Sequence, residues 1–256
     1  MTSIHEAAEI LDEAARHGRA VSQFAPDAFD LDGAYAIQAA SVDRRIARGE
    51  RIVGMKMGFT SRAKMVQMGV SDMIWGRLTD AMQVEDGGEI EMARFVHPRA
   101  EPEIAFLLSK PLCGVVSAME AVSAVAAVAP AIEVIDSRYK DFKFSLTGVV
   151  ADNSSSSAFV VGPWNRPDTD LSNLGMLFEV DGQPPACVSS AAILGHPVRS
   201  LVAAARLAAR FGAGLEAGMI VLAGGAAAAL PLAAGSFVAL RVEHLGAVSF
   251  SVTEGR

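Results

Sequence analysis

The sequence predicts an α+β fold built around a rolled or barrel-like mixed β-sheet, with helices packed outside it and a helical segment over residues 1–50. Two patterns with apolar residues every three to four positions fall within those first fifty residues. Most later segments are short runs of apolar and β-branched residues separated by glycine-containing turns. This order favours α+β over a doubly wound parallel sheet, and we expect one domain spanning residues 1–256.

The expected helices have recognisable start and stop signals. Ser3 with Glu6, and Ser117 with Glu120, form capping boxes, which mark helix starts. Gly49 is a typical stop for the second helix. The predicted helices cover, in chain order, residues 3–18, 33–48, 117–129 and 198–211.

Strands are expected wherever short apolar runs end at turn residues. One uncharged stretch, residues 217–240, is long enough to span a membrane, but glycines and a proline divide it, so we predict a buried strand-loop-strand. Asp181-Gly182 and Leu245-Gly246 are the predicted hairpin turns. The predicted strands are 51–58, 101–108, 131–135, 158–161, 176–180, 219–222, 237–242 and 248–252.

Composition limits the class of protein. The chain is 51% hydrophobic with a net charge of −7, which is typical of a globular protein and argues against a basic nucleic-acid-binding surface. The first residues lack the basic and apolar segments of a signal peptide, so we expect a cytoplasmic protein. Cys113 and Cys187 are too few for a disulfide framework and are predicted to be buried free thiols.

Two glutamates lie one residue apart in the apolar stretch from Pro98 to Leu108. Residues i and i+2 share one face of a strand, so the carboxylates of Glu101 and Glu103 point the same way. Like charges in an apolar strand are destabilising unless a positive charge lies between them, and a hard divalent cation supplies one. The pair therefore predicts a metal site.

A third carboxylate, that of Glu133, lies in the apolar run 129–135, a predicted buried strand. Three carboxylates with no histidine or cysteine near them suit Mg²⁺ or Mn²⁺ better than zinc. The alternative is a structural network of ion pairs, and spacing alone leaves both interpretations open. The basic residues for that network are Arg94, Arg99 and Arg138.

A lysine and a serine run are the other candidates for a site. In the predicted strand 53–58, Lys56 lies between Gly54 and Gly58 on one face, which predicts room for a ligand beside a desolvated ammonium of lowered pKa. The alternative is a structural lysine at a sheet edge. The serines at 154–157 lack a Gly-x-Ser-x-Gly elbow, so we predict a hydroxyl-lined loop that binds a carboxylate.

Several motifs, in order along nearly the whole chain, closely resemble the fumarylacetoacetate hydrolase superfamily. Within it they are similar to the branch of 2-hydroxypenta-2,4-dienoate hydratases and 4-oxalocrotonate (2-oxo-3-hexenedioate) decarboxylases. The motifs are Gly54-Met-Lys-Met-Gly-Phe-Thr-Ser61, Gln67-Met-Gly-Val70, Gly76-Arg-Leu-Thr-Asp80, Pro98-Arg-Ala-Glu-Pro-Glu-Ile-Ala105, Ala131-Ile-Glu-Val-Ile-Asp-Ser-Arg138, Ala151-Asp-Asn-Ser-Ser-Ser156 and Gly224-Gly225.

The resemblance implies a metal-dependent enzyme that acts on a small 2-oxo acid, forms a homo-oligomer and associates with a homologous hydratase. No membrane or nucleic-acid partner is expected. The implied site residues are Glu101, Glu103 and Glu133 for the metal, Lys56 and Asp80 for catalysis, and Ser155, Arg62, Lys143, Gly224 and Gly225 for the substrate.

Within the branch we favour the decarboxylase, because Arg62, Lys140 and Lys143 supply cations for the second carboxylate of 2-oxo-3-hexenedioate. A divalent cation would act as the Lewis acid that stabilises the enolate formed on loss of CO₂. The alternative is the hydratase, which uses the same enolate. A non-catalytic subunit of the same fold is a second alternative, because Ala227 stands where the superfamily usually has a threonine.

Overall fold

The computed structural model describes residues 2–25, 27–61, 65–66 and 72–255. Its helices, in chain order, are α1 (Ile4–Arg16), α2 (Leu31–Ala47), α3 (Ala118–Ser123), α4 (Leu146–Ala151) and α5 (Pro197–Arg210). Its strands are β1 (Ile52–Gly58), β2 (Ile74–Thr79), β3 (Gln83–Val84), β4 (Gly88–Glu91), β5 (Arg99–Leu108), β6 (Val125–Ile135), β7 (Ser156–Val161), β8 (Gly175–Val180), β9 (Ala186–Ser189), β10 (Ile220–Leu222), β11 (Leu230–Pro231), β12 (Phe237–Val242) and β13 (Gly246–Thr253).

The larger sheet has the strand order β2-β1-β10-β5-β6-β7-β3, with β11 paired to β5. It mixes parallel pairs, such as β1 with β10, and antiparallel pairs, such as β5 with β6. The sheet curls into a half-barrel, and this confirms the predicted α+β fold with a rolled mixed sheet. A separate apolar cluster fills one end of its concave face: Leu78, Met82, Ala105, Ala129, Ala131, Phe159, Ile220 and Leu222.

The smaller sheet has the order β4-β13-β12-β8-β9 and packs against β6. Its hairpin between β12 and β13 lies where Leu245-Gly246 predicts a turn, and Asp181-Gly182 connects β8 to β9 as predicted. Strands β12 and β13 alternate buried and exposed residues, because one face of this sheet packs on the core and the other meets solvent. The sheet therefore supports the half-barrel from outside.

The amino-terminal helices pack together outside the half-barrel. The predicted capping box of Ser3 and Glu6 is present at the start of α1. Asp12, buried on α1, accepts two hydrogen bonds of 2.6 Å from Arg48, just after α2, and one of 3.0 Å from Arg44. Because both oxygens of this buried carboxylate are paired with guanidinium groups, the helix pair stays closely joined.

The prediction of a helix over residues 117–129 was wrong for the second half of that range. Its capping box is present, but α3 ends at Ser123 and β6 begins at Val125. An apolar run of alanine and valine is compatible with either structure, and pairing of β6 with both β5 and β7 decides for the strand. Pro130 lies inside β6, where its carbonyl accepts a hydrogen bond from Gly162.

The two cysteines are free, as predicted, but both are exposed, so the prediction that they are buried was wrong. Cys113 lies in the loop between β5 and α3, and Cys187 lies on β9, at the edge of the smaller sheet. Position at a sheet edge or in a loop explains the exposure, since neither place is covered by a second layer. In the described part of the chain, no helix is long and apolar enough to cross a membrane.

Candidate metal centre and active site

Strand register brings the three predicted carboxylates together on the concave face of the half-barrel. Glu101 on β5 is paired directly with Glu133 on β6, and Glu103 lies two residues further along β5 on the same face. One oxygen from each of the three lies within 4.8 Å of the others. Glu103 and Glu133 are fully buried, and Glu101 is 8% exposed. The arrangement is a compact all-oxygen donor set.

The electrostatics of this acidic triad favour a bound cation. Oε1 of Glu103 and both oxygens of Glu133 are buried and accept no well-aligned hydrogen bond from the described residues. Burial raises the pKa of Glu103 well above its usual range, and the neighbouring carboxylates add to this. Burial also raises the pKa of Glu133, although Lys56 opposes the effect. Carboxylates with unused oxygens in a buried site are what a divalent cation stabilises.

Lys56 lies at the edge of the triad and is 3% exposed. Its Nζ forms an ion pair of 3.0 Å with Oε2 of Glu133 and donates a 3.1 Å hydrogen bond to the carbonyl of Ser154. Burial by itself opposes the charged form, but the carboxylates of Glu133, Glu101 and Glu103 outweigh it, so the pKa of Lys56 is raised. The expected lowering of this pKa was therefore wrong, because the sequence pattern did not place three carboxylates beside the ammonium.

The glycines on either side of Lys56 do not create open space. A Cβ at Gly54 would meet the carbonyl of Ile220 on β10, and a Cβ at Gly58 would lie 2.9 Å from Cγ1 of Ile74. Both glycines instead allow neighbouring strands to approach closely. The room predicted beside Lys56 is absent at these two positions.

The serine run begins with a strained turn next to Lys56. Asn153, Ser154 and Ser155 all have positive φ, between 47° and 61°, a region that residues with side chains rarely adopt. The turn is held to β2 because Ser154 Oγ donates a 2.7 Å hydrogen bond to the Trp75 carbonyl. It leaves Oγ of Ser155 buried without a hydrogen-bond partner among the described residues. This hydroxyl is available to a ligand.

A buried ion pair anchors the other side of the same turn. Nε of Arg138 donates to Asp152 at 2.5 Å, and Nη2 donates to the Asp152 carbonyl at 2.6 Å. Burial raises the pKa of Asp152 to about 6, although Arg138 opposes this. Arg138 therefore stabilises this turn through its ion pair with Asp152. It does not pair with Glu101 or Glu103, contrary to the alternative in which Arg138 joins a structural ion network around those two glutamates.

Gly224 and Gly225, predicted near the substrate, lie against the acidic triad. The backbone N–H of Gly224 donates a 2.6 Å hydrogen bond to Oε2 of Glu103, and its φ of +101° requires glycine. A Cβ at Gly225 would lie 2.9 Å from the carboxyl carbon of Glu101. The two glycines thus let a loop approach and orient the carboxylates.

Of the remaining predicted residues, Asp80 is not brought to the triad. Asp80 follows β2 and pairs with Arg51 at 2.9 Å, beyond Gly76, the β2 partner of Lys56. Lys143 lies in a segment after β6. Arg62 lies outside the described residues. The catalytic role of Asp80 and the substrate-binding roles of Lys143 and Arg62 stay predictions.

Sequence reasoning did not assign a site role to Arg99, which shares the face of β5 with Glu101 and Glu103. Its guanidinium carbon lies 4.2 Å from the ring centre of Phe142. The signal was available, because residues 99, 101 and 103 follow the two-residue period of a strand. The aromatic contact was not available from sequence, since Phe142 is separated from Arg99 by a whole strand.

Comparison with known proteins gives full-length relatives. The chain is 58% identical over 254 residues to a 4-oxalocrotonate decarboxylase from Pseudomonas sp., covering 99% of both chains. It is 35% identical over 229 residues to a 2-hydroxyhexa-2,4-dienoate hydratase from Comamonas testosteroni, covering 88% of this chain and 87% of the relative. No family model matches the chain.

A solved structure agrees with these relatives. The 4-oxalocrotonate decarboxylase from Pseudomonas putida G7, complexed with magnesium and adipate, superimposes with a TM-score of 0.93 at 37% identity, over 97% of each chain. The chain therefore belongs to the hydratase and decarboxylase branch of the fumarylacetoacetate hydrolase superfamily.

Replacing Glu103 with glutamine should weaken metal binding while leaving the fold intact. The amide oxygen keeps an acceptor for the Gly224 N–H, but the change removes one charge from the triad, so we expect the affinity for Mg²⁺ or Mn²⁺ to fall by roughly 100-fold. Titration calorimetry and circular dichroism measure the two properties. Glu179→Gln, a change on β8 of the smaller sheet, is the matched control and should bind metal normally. Unchanged affinity in Glu103→Gln would reject the triad as the metal site.

Metal binding should release protons. Because the pKa values of Glu103 and Glu133 are raised in the metal-free protein, protons occupy their oxygens as the pH falls, and a cation must displace them. The affinity for Mg²⁺ should therefore rise with pH across the range in which these groups titrate. Calorimetry in buffers of different ionisation enthalpy counts the protons released. A pH-independent affinity with no proton release would contradict this expectation.

Proposed function

We propose that this protein is a metal-dependent carboxy-lyase that converts 2-oxo-3-hexenedioate (4-oxalocrotonate) to 2-hydroxypenta-2,4-dienoate and CO₂ in the catabolism of aromatic compounds. The observation that carries the proposal is the buried acidic triad beside Lys56, in a chain 58% identical over its full length to a 4-oxalocrotonate decarboxylase. Two solved structures of the 4-oxalocrotonate decarboxylase from Pseudomonas putida G7 were complexed with magnesium and with calcium. Mg²⁺ is accordingly the proposed cofactor, with Mn²⁺ as a substitute.

The residues present fit such a cation. Glu101, Glu103 and Glu133 supply only oxygen donors, and three oxygens on the last two accept no well-aligned hydrogen bond from the described residues. A hard divalent ion prefers this chemistry to the nitrogen and sulfur ligands of zinc. When bound, the cation supplies a Lewis acid for the 2-oxo acid group of the substrate.

The chain's own groups hold the substrate and manage the proton. Loss of CO₂ from the distal carboxylate leaves the bonding electrons in the conjugated system, and negative charge collects on the C2 oxygen. The Lys56 ammonium, which is charged because its pKa is raised, stabilises that charge and donates a proton to the oxygen. The Ser155 hydroxyl, which has no hydrogen-bond partner in the described part of the chain, is proposed to donate a hydrogen bond to a substrate carboxylate.

The hydratase is the second candidate function, because relatives with that activity cover most of the chain at 35% identity. Both reactions pass through an enolate of a 2-oxo acid, so the same triad and lysine serve either. The higher identity to decarboxylases favours the decarboxylase.

We further propose a cytoplasmic homo-oligomer that associates with a homologous hydratase. Two exposed free cysteines suit a reducing compartment. Val115 and Met119, near the start of α3, are 90% and 85% exposed, which leaves an apolar surface for another subunit. A hydratase partner would consume the reactive dienol that the decarboxylase releases.

Lys56→Met should lower kcat by roughly 100-fold or more at saturating Mg²⁺, because it removes the proton donor. Stability in the absence of metal should also fall, since the variant leaves Glu133 without its cation, whereas Mg²⁺ should restore much of it. Steady-state kinetics and thermal melting with and without Mg²⁺ measure both effects. A normal kcat in the folded variant would show that Lys56 is structural.

The reaction itself is tested by product identification. Given 2-oxo-3-hexenedioate and Mg²⁺, the protein should release one CO₂ per substrate and accumulate 2-hydroxypenta-2,4-dienoate. Given that dienoate alone, it should form little 4-hydroxy-2-oxopentanoate. Efficient hydration without CO₂ release would establish the hydratase instead, and no turnover of either compound would support the non-catalytic alternative.

A further inference from the structure

The concave face of β5 is arranged in layers along the strand. Ala105 belongs to the apolar cluster at one end, Glu103 and Glu101 form the acidic layer, and Arg99 comes next on the same face. Exposure rises in the same direction, from the fully buried Glu103 through Glu101 to the half-buried Arg99. Arg99 therefore lies on the solvent side of the acidic layer.

The Arg99 guanidinium is available to an anion. Among the described residues its side chain makes no hydrogen bond or ion pair, and it contacts the ring of Phe142. An arginine stacked on an aromatic face keeps its N–H donors free in the plane of the guanidinium. This differs from Arg138, whose donors are used by Asp152 and Ser157.

The segment that holds this arginine is conformationally strained. Asp141 and Phe142 have φ values of 59° and 55°, in the left-handed region that side chains disfavour. In this segment the Phe142 ring contacts the Arg99 guanidinium, and its centre lies 5.2 Å from the centre of the His97 ring. Two successive residues with left-handed backbone persist only where surrounding contacts stabilise the loop. One such contact here is that of the Phe142 ring with the Arg99 guanidinium.

The distances suit a six-carbon diacid. Two residues of a strand advance about 7 Å, which separates the Cα atoms of Glu101 and Arg99. An extended six-carbon diacid separates its terminal carboxyl carbons by about 6 Å, because it has five carbon–carbon bonds of about 1.5 Å. A ligand whose 2-oxo acid end lies at the triad thus brings its other carboxylate to the level of Arg99.

We infer that Arg99, held by Phe142, is the specificity residue that binds the carboxylate remote from the acidic triad, and so selects dicarboxylic over monocarboxylic 2-oxo acids. This inference rests on the proposed function, in which the 2-oxo acid end is bound at the triad. Arg99 here takes the place of Lys140 and Lys143 as the principal residue that binds the second carboxylate. An ammonium is more strongly hydrated than a guanidinium, and neither lysine lies on the face of β5.

The experiment measures binding, which separates it from turnover. Titration calorimetry with the Mg²⁺-loaded protein compares 2-oxoadipate with 2-oxohexanoate, which lacks only the remote carboxylate. Neither compound has the double bond that makes decarboxylation favourable. The variants are Arg99→Met, Arg99→Lys, Phe142→Leu and Lys143→Met, with Arg241→Met as a control because Arg241 is an exposed arginine of the smaller sheet.

Arg99→Met should lose roughly 100-fold in affinity for 2-oxoadipate and keep its affinity for 2-oxohexanoate within about threefold. Arg99→Lys and Phe142→Leu should give smaller losses confined to 2-oxoadipate, and they replace Arg99→Met as the test if that variant does not fold. Arg241→Met should match the parent protein for both ligands.

The inference is overturned if Arg99→Met weakens both ligands equally, if it changes neither, or if Lys143→Met alone reproduces the loss. Failure of the proposed function looks different. In that case no CO₂ is released from 2-oxo-3-hexenedioate, while the preference for 2-oxoadipate and its dependence on Arg99 are still measured.

Discussion

The structure depends on three carboxylates held together away from water. Isolated buried charges of one sign are strongly destabilising, so the acidic triad of Glu101, Glu103 and Glu133 requires compensation from its surroundings. Lys56 supplies one positive charge, and the Gly224 N–H supplies one hydrogen bond. Two oxygens of Glu133 and one of Glu103 still accept no well-aligned hydrogen bond from the described residues, and a divalent cation completes the balance.

The rest of the half-barrel maintains this constellation. Pairing of β5 with β6 sets Glu101 opposite Glu133, and parallel pairing of β1 with β10 brings Lys56 to the same face. Two contacts fix the strained turn at residues 153–155. One is the hydrogen bond from the Ser154 hydroxyl to the carbonyl of Trp75 on β2, and the other is the buried ion pair of Arg138 with Asp152. These contacts offset the strain of the left-handed backbone. That backbone lets the Ser154 carbonyl accept a hydrogen bond from Lys56 and leaves the Ser155 hydroxyl without a hydrogen-bond partner among the described residues.

Apolar, acidic and basic side chains follow one another along one face of β5, because every second residue of a strand points to the same side. Apolar side chains close one end of the concave face, carboxylates occupy the middle, and an arginine stands at the more exposed end. A linear substrate with an acid group at each end matches this order, because its two ends require different partners about 6 Å apart. The same layering separates Lys56, the proposed proton donor, from solvent, which would limit competing protonation of the enolate.

The sequence by itself determined what depends on local pattern. The two-residue period placed Glu101 and Glu103 on one face, capping boxes marked the starts of α1 and α3, and the ordered motifs indicated the superfamily. Only tertiary structure decided what depends on contacts between distant segments. It converted residues 125–129 from predicted helix to strand, filled the space at Gly54 with a neighbouring strand, and raised the pKa of Lys56. The physical reason is that strand partners and electrostatic neighbours lie tens of residues away in the chain, where no local spacing specifies them.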